Sequence, residues 1–116
     1  MHAPNYASMT EIPMAYILRF TQSYLPSHHK AVLELEAQFE QLELDNPRFP
    51  RGRRYQPLAS GEPNHSLIWE CEFPSMAAVE EALKMIEADP THTELFAKQS
   101  PYFTSMRTDI FKTLEF

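Results

Sequence analysis

The segment Ala88–Phe116, ADPTHTELFAKQSPYFTSMRTDIFKTLEF, decides how this chain folds. Asp89-Pro90 opens a short helix, for which Thr91 and Glu94 match a capping box, and Pro101 ends it. From about Arg107 to Phe116 the spacing predicts a strand running to the final residue. Such a strand needs an earlier one to pair with, so this segment is expected to close a sheet.

The expected partner lies far upstream. In MAYILRF, from position 14, Tyr16, Leu18 and Phe20 share one side, and Ala15, Ile17 and Arg19 share the other. Both sides are largely apolar, which predicts a central strand covered on both faces. SLIWECEF, 66–73, alternates most clearly, with Leu67, Trp69, Cys71 and Phe73 opposite Ile68, Glu70 and Glu72. RYQPL, 54–58, is a short strand whose Pro57 cannot donate to a ladder, so it belongs at a sheet edge. ASGEPNH, 59–65, reads as the turn between these two strands.

Two longer helices fill the gaps. Ser27 is placed to cap the first, whose apolar stripe is Val32, Leu35, Phe39 and Leu42, and Asp45-Asn46-Pro47 stops it. Ser75 caps the second, with stripe Met76, Val79, Leu83 and Ile86 and a Glu80–Lys84 pair on the wet side. The order is β-α-β-β-α-(α)-β. A single stripe per helix predicts an α+β fold: a ferredoxin-like βαββαβ unit with an antiparallel four-stranded sheet and helices on one face. Positions 1–13 are expected to be a flexible leader and 14–116 a single domain.

Composition removes several function classes. At 116 residues, 16 acidic against 10 basic, the chain lacks the positive surface of a nucleic-acid or anionic-membrane binder. Only two glycines are present, Gly52 and Gly61, so no phosphate-cradling loop can form and no nucleotide cofactor is expected. A single cysteine excludes an internal disulfide and fits a reducing compartment. No apolar run reaches the roughly 20 residues of a membrane span, and the opening MHAPNYASMTEIP has no basic and apolar signal regions. The expectation is a cytoplasmic protein without membrane or nucleic-acid partners.

With both helices on one face, the other would expose Ile17, Ile68 and Phe111 among Arg19, Glu70 and Glu72. Leaving apolar area in water costs about 25 cal/mol per Å², and a twofold pairing of sheets removes that cost. A homodimer enclosing a partly polar cavity is therefore expected, with a wet-faced monomer as the competing outcome.

The element order, the half-apolar open face and the ending DPTHTELFAKQSPYF…DIFKTLEF resemble the dimeric α+β barrel superfamily, and within it NIPSNAP-like proteins. The similarity spans about positions 14–116 and rests on apolar spacing, the Asp89-Pro90 step and the terminal strand. It implies a homodimeric β-barrel with a pocket inside the barrel or between sheet and helices. Related families include cofactor-independent monooxygenases, haem enzymes, ligand sensors and proteins without assigned activity, so fold does not choose the chemistry.

Candidate site residues follow from placement. Arg19 and Glu70 sit mid-strand on one face, with Glu72 beside them, either orienting a polar ligand or forming a cross-strand ion pair. His28 and His29 open the first helix and His92 the third; either of the first two is a candidate acid or base, or a solvated surface group. Tyr16 and Tyr55 are candidate pocket hydroxyls. Arg48, Arg51, Arg53 and Arg54 form either an anion-binding lip or a solvated loop balancing Glu34, Glu36, Glu40 and Glu43. Cys71 and Trp69 belong to the core. Adjacent histidines diverge on a helix, so no metal site is expected, and nothing supports haem or another cofactor.

Two functions fit. One is a NIPSNAP-like homodimer binding a small apolar or aromatic ligand at Arg19, Glu70, Glu72, His28 and Tyr55. The other is a cofactor-independent monooxygenase or isomerase for an electron-rich aromatic, using His28, His29 or Glu70 as base and Arg19 for the developing anion.

Overall fold

The computed structural model describes residues 15–116. The expected leader and the first strand position, Met14, lie outside them. The elements are β1 (Tyr16–Tyr24), α1 (His29–Asp45), β2 (Arg53–Tyr55), β3 (Ser66–Phe73), α2 (Met76–Ala88), α3 (Pro90–Gln99) and β4 (Phe103–Lys112). The strands form one antiparallel sheet in the order β2-β3-β1-β4, so the first and third strands are central as expected.

Strand alternation assigns the faces as the sequence reading has them. On the helix side, Leu18 (0% exposed), Trp69 and Val79 form one buried cluster, with Tyr16, Phe20, Cys71, Phe73 and Leu83 packed against it. Tyr24, Val32 and Leu67 form a second, joined by Tyr102 and Phe103. Ring stacking of Phe20 on Trp69, centroids 5.2 Å apart, links β1 to β3 across this face. Ser75 caps α2 by accepting from the Ala78 N–H at 3.1 Å.

Several local expectations need correction. Ser27 lies in a single 3-10 turn, Pro26–His28, and α1 begins at His29 without a side-chain cap. Asp89 itself, not Thr91, caps α3, accepting from the His92 N–H at 2.9 Å, while Pro90 occupies the first turn. A carboxylate in that position also complements the helix dipole, so no capping box is required. The last strand starts earlier and stops sooner than read: β4 is Phe103–Lys112, and positions 113–116 lie beyond it. β-branched and aromatic residues at 103–104 extend the pairing with β1 to Tyr24–Phe103. No ion pair joins Glu80 to Lys84; among the described residues the i,i+4 pairs are Lys30–Glu34 and Glu94–Lys98.

The largest correction concerns α1. Its buried residues are Val32, Glu36, Phe39 and Glu43. Two carboxylates occupy the centre of the inward face, and Leu35 and Leu42 flank it, half-buried.

Candidate functional site

Glu36 and Glu43 are each 8% exposed, and burial of a bare carboxylate is costly. Arg54 is the reason they are tolerated. Its position opposite Trp69 on the edge strand directs it to the helix side, toward α1. Its Nε donates to Glu36 Oε2 at 2.6 Å, and its Nη2 donates to Glu43 Oε2 at 2.6 Å. Neutral donors add to these contacts: Gly52 N–H and Trp69 Nε1–H reach Glu43 at 3.0 and 3.2 Å, and Gln99 Nε2 reaches Glu36 at 3.0 Å. Burial pulls the Arg54 guanidinium toward neutrality, but the Glu43 and Glu36 contacts outweigh it and hold its pKa above the ordinary value. Arg54 therefore belongs to no solvated loop, in contrast to the exposed Arg48, Arg51 and Arg53.

This network forms one wall of a cavity of about 300 Å³ between the sheet and the three helices. Phe20, Phe39, Phe49, Trp69, Ile86 and Phe96 supply the apolar walls. His92, on the first turn of α3, faces the same space between three rings: Phe39 at 4.9 Å, Phe49 at 6.3 Å and Phe96 at 6.4 Å. Burial lowers its pKa, against smaller opposing effects of Asp89 and Glu43, so the imidazole is neutral near pH 7. Among the described residues its ring takes no hydrogen bond, which leaves a neutral imidazole turned to an aromatic chamber.

A second, more polar cavity of about 370 Å³ lies on the open face, lined by Arg19, Thr21, Tyr55, Ser60, Gly61, Glu62, Ile68 and Glu70. Here Arg19 Nε donates to Glu70 Oε2 at 2.5 Å, and its guanidinium covers the Phe111 ring 4.6 Å from the centroid. The register places Arg53, Glu70, Arg19 and Asp109 side by side across all four strands, an alternating row of charge. Glu62, in the β2–β3 connection, reaches over β1 to pair with Arg107 on β4. That contact, with Asp109 adding to it, raises the Arg107 pKa above its ordinary value. Beneath this clasp Thr21 is 3% exposed and its hydroxyl has no partner among the described residues.

The structure brings Arg19, Glu70 and Tyr55 to this one cavity; His28 and Glu72 line neither cavity. Glu72 is exposed on the same face, and His28 sits against the Tyr102 ring at 5.1 Å with its Nδ1 buried and unpartnered. His29 accepts or donates a 2.7 Å hydrogen bond with the Tyr24 hydroxyl, whose pKa burial raises. Cys71 is half-buried, and burial together with Glu43 and Glu72 raises its thiol pKa, which disfavours a thiolate. No group of three or more His, Cys, Asp or Glu is arranged to hold a metal among the described residues, and no helix there is long and apolar enough to cross a membrane. The sequence reading missed the helix-side site because it sets Glu36 and Glu43 on an acidic helix face and leaves Arg54 between an anion-binding lip and a solvated loop. One signal was available: Glu36 and Glu43 are seven apart, in step with Val32 and Phe39.

No family model matches the sequence, and neither does any curated protein. Solved structures do match. An uncharacterised NIPSNAP domain protein from Burkholderia xenovorans superposes with a TM-score of 0.70 at 14% identity, covering 87% of this chain and 96% of that one. A NIPSNAP family protein of unknown function from Agrobacterium tumefaciens gives 0.67 at 18% identity, covering 89% and 90%. A putative antibiotic biosynthesis monooxygenase from Nitrosomonas europaea gives 0.63 at 10% identity, covering 86% and 90%. The chain is thus NIPSNAP-like in its fold, the ferredoxin-like architecture that it shares with antibiotic biosynthesis monooxygenases.

Proposed function

We propose that this protein is a homodimeric small-molecule-binding module whose ligand, a compact aromatic or apolar compound, occupies the chamber between sheet and helices. One observation carries the reading. Protein interiors are packed without voids of this size, whereas ligand pockets begin near 300 Å³ and combine apolar walls with a few placed polar groups. The chamber has both: aromatic walls, and the neutral His92 and the Arg54 network as fixed polar features. Trp69, the sole tryptophan, lines it and reports on it. Titration with a panel of single-ring aromatics, followed by Trp69 fluorescence and melting temperature, is expected to show saturable binding that Phe49→Ala weakens. A panel without any saturable response refutes the reading.

His92 also favours an oxygenase reading. A phenol with a free ring position reacts with oxygen to give a quinone and water: phenol plus O₂ gives benzoquinone plus H₂O, the ring C–H and O–H supplying both protons and O₂ the oxidising equivalents. His92 would take the phenolic proton, a role in which it replaces His28, His29 and Glu70, none of which lines the chamber. Against it stands the wall itself: two carboxylates and one guanidinium disfavour the anion this route must build up. Oxygen uptake by metal-free protein with hydroquinone-type phenols, abolished by His92→Phe, would establish the oxygenase; absent uptake across the panel leaves the binding module.

A further inference from the structure

We propose that the helix-side chamber selects cationic ligands: a small aromatic or alkyl group carrying a protonated amine or a quaternary ammonium. The proposal rests on the binding reading above and specifies its ligand. The charged side chains lining the chamber are Glu36, Glu43, Arg54 and Arg107, with His92 as the remaining titratable group. Arg107 does not count toward the interior, because its guanidinium is committed to Glu62 and Asp109 on the opposite face. At formal charges the interior therefore holds two carboxylates against one guanidinium, an excess of one negative charge.

That excess is fixed. The Trp69 and Gly52 N–H groups and the Gln99 amide hold the carboxylates in place without neutralising them. Arg54 has little left to give an incoming anion, because each of its nitrogens already donates to Glu36 or Glu43. The remaining walls include the rings of Phe20, Phe39, Phe49, Phe96 and Trp69, and aromatic rings attract cations through their quadrupoles. An apolar chamber with surplus negative charge and aromatic walls thus rewards a positive ligand, tolerates a neutral one and opposes an anion.

The test uses probes of similar shape and different charge: benzyltrimethylammonium and benzylamine, benzyl alcohol, and benzoate. Each is titrated into the full-length protein by calorimetry and Trp69 fluorescence. Both cations are expected to bind at least ~tenfold tighter than benzyl alcohol, and benzoate to bind weakest. Glu36→Gln is expected to shrink the ratio of cation to benzyl alcohol affinity at least ~threefold. Should that variant fold poorly, raised salt on the unaltered protein serves instead, weakening cations selectively. Benzyl alcohol or benzoate binding as tightly as the cations overturns the charge proposal and leaves the binding module standing. A cation preference untouched by both Glu36→Gln and salt overturns it as well, and silence from all the probes removes both.

Discussion

The guanidinium of Arg54 and the carboxylate of Glu43 meet as a fork, Nη1 to Oε1 at 3.2 Å and Nη2 to Oε2 at 2.6 Å, with both side chains largely withdrawn from solvent. This geometry ties the short edge strand β2 to the helix that covers the sheet. It also makes each partner depend on the other, since a buried charge without its counter-charge is far costlier than a buried pair.

Arg54→Met is accordingly expected to destabilise the fold by about 3–5 kcal/mol, because two buried carboxylates lose their cation at once. Arg54→Lys restores the charge but not the fork, and should recover only part of the loss. Urea unfolding measures both as shifts in midpoint at unchanged slope. A loss below about 1 kcal/mol for Arg54→Met would show that the network is dispensable.

Gly52 offers a second, sharper test. A Cβ built there lies 1.8 Å from Trp69 Nε1 and 2.0 Å from Cε2, inside the indole itself. Trp69 is buried and bonded to Glu43, so it cannot swing aside freely. Gly52→Ala should cost about 1–3 kcal/mol, as overpacking does, and shift the emission of the only tryptophan toward the red as the ring is displaced toward water. Unchanged emission and stability would mean that the indole does not pack on this glycine.

The architecture was legible in the sequence because period-two alternation in β1 and β3 and single-stripe helices leave few arrangements of the sheet. Residue by residue, Leu18, Trp69 and Val79 fell on the helix side as read, and Arg19 and Glu70 came opposite one another. The helix-side site was illegible for a reason that hydropathy contains in principle but cannot resolve alone. Glu36 and Glu43 look solvated until a counter-charge is known, and Arg54 stands eleven positions beyond Glu43 in a turn-rich arginine segment. Whether it points in or out depends on strand register, and a three-residue strand carries almost no register signal of its own. For His92 the sequence indicates only its place at the start of the third helix; the packing of Phe39, Phe49 and Phe96 is what turns it inward.

The His92 environment makes a pH prediction with a definite sign. Burial lowers its pKa below the ordinary 6.5, so the unfolded chain binds the proton more readily than the folded one. Its contribution is fully present above about pH 6.5 and is lost as the pH falls through the lower folded value. The groups facing it are Asp89 on its own cap, Glu43 on α1 and the three phenyl rings. Replacing His92 by Gln is expected to flatten the acid limb of the stability curve by up to about 1.4 kcal/mol per pH unit. Thermal melts from pH 7.5 to 5 check this; parallel curves for both proteins would show that His92 titrates as an ordinary exposed imidazole.

The open face carries the prediction on assembly. Phe111 is 42% exposed there, Ile17 opposite it and Ile68 farther along the same face are half-buried, and β4 has an unpaired edge on which Met106 and Ile110 are 54% and 42% exposed. An isolated ten-residue edge with apolar groups on both sides invites pairing, and closing two such sheets about a twofold axis covers both copies. Sedimentation at micromolar concentration is expected to show a dimer. Phe111→Lys should shift it toward single chains, since burying a phenyl ring is worth about 1.5–3 kcal/mol and the twofold axis counts each change twice. The variant should still fold, because Phe111 touches the Arg19 guanidinium and no core cluster. Its helix-side chamber would then still bind aromatics with undiminished affinity, which separates the assembly role of the open face from the ligand role of the opposite one. A wild-type protein sedimenting as single chains would refute the dimer, and loss of binding in Phe111→Lys would place the ligand between the sheets.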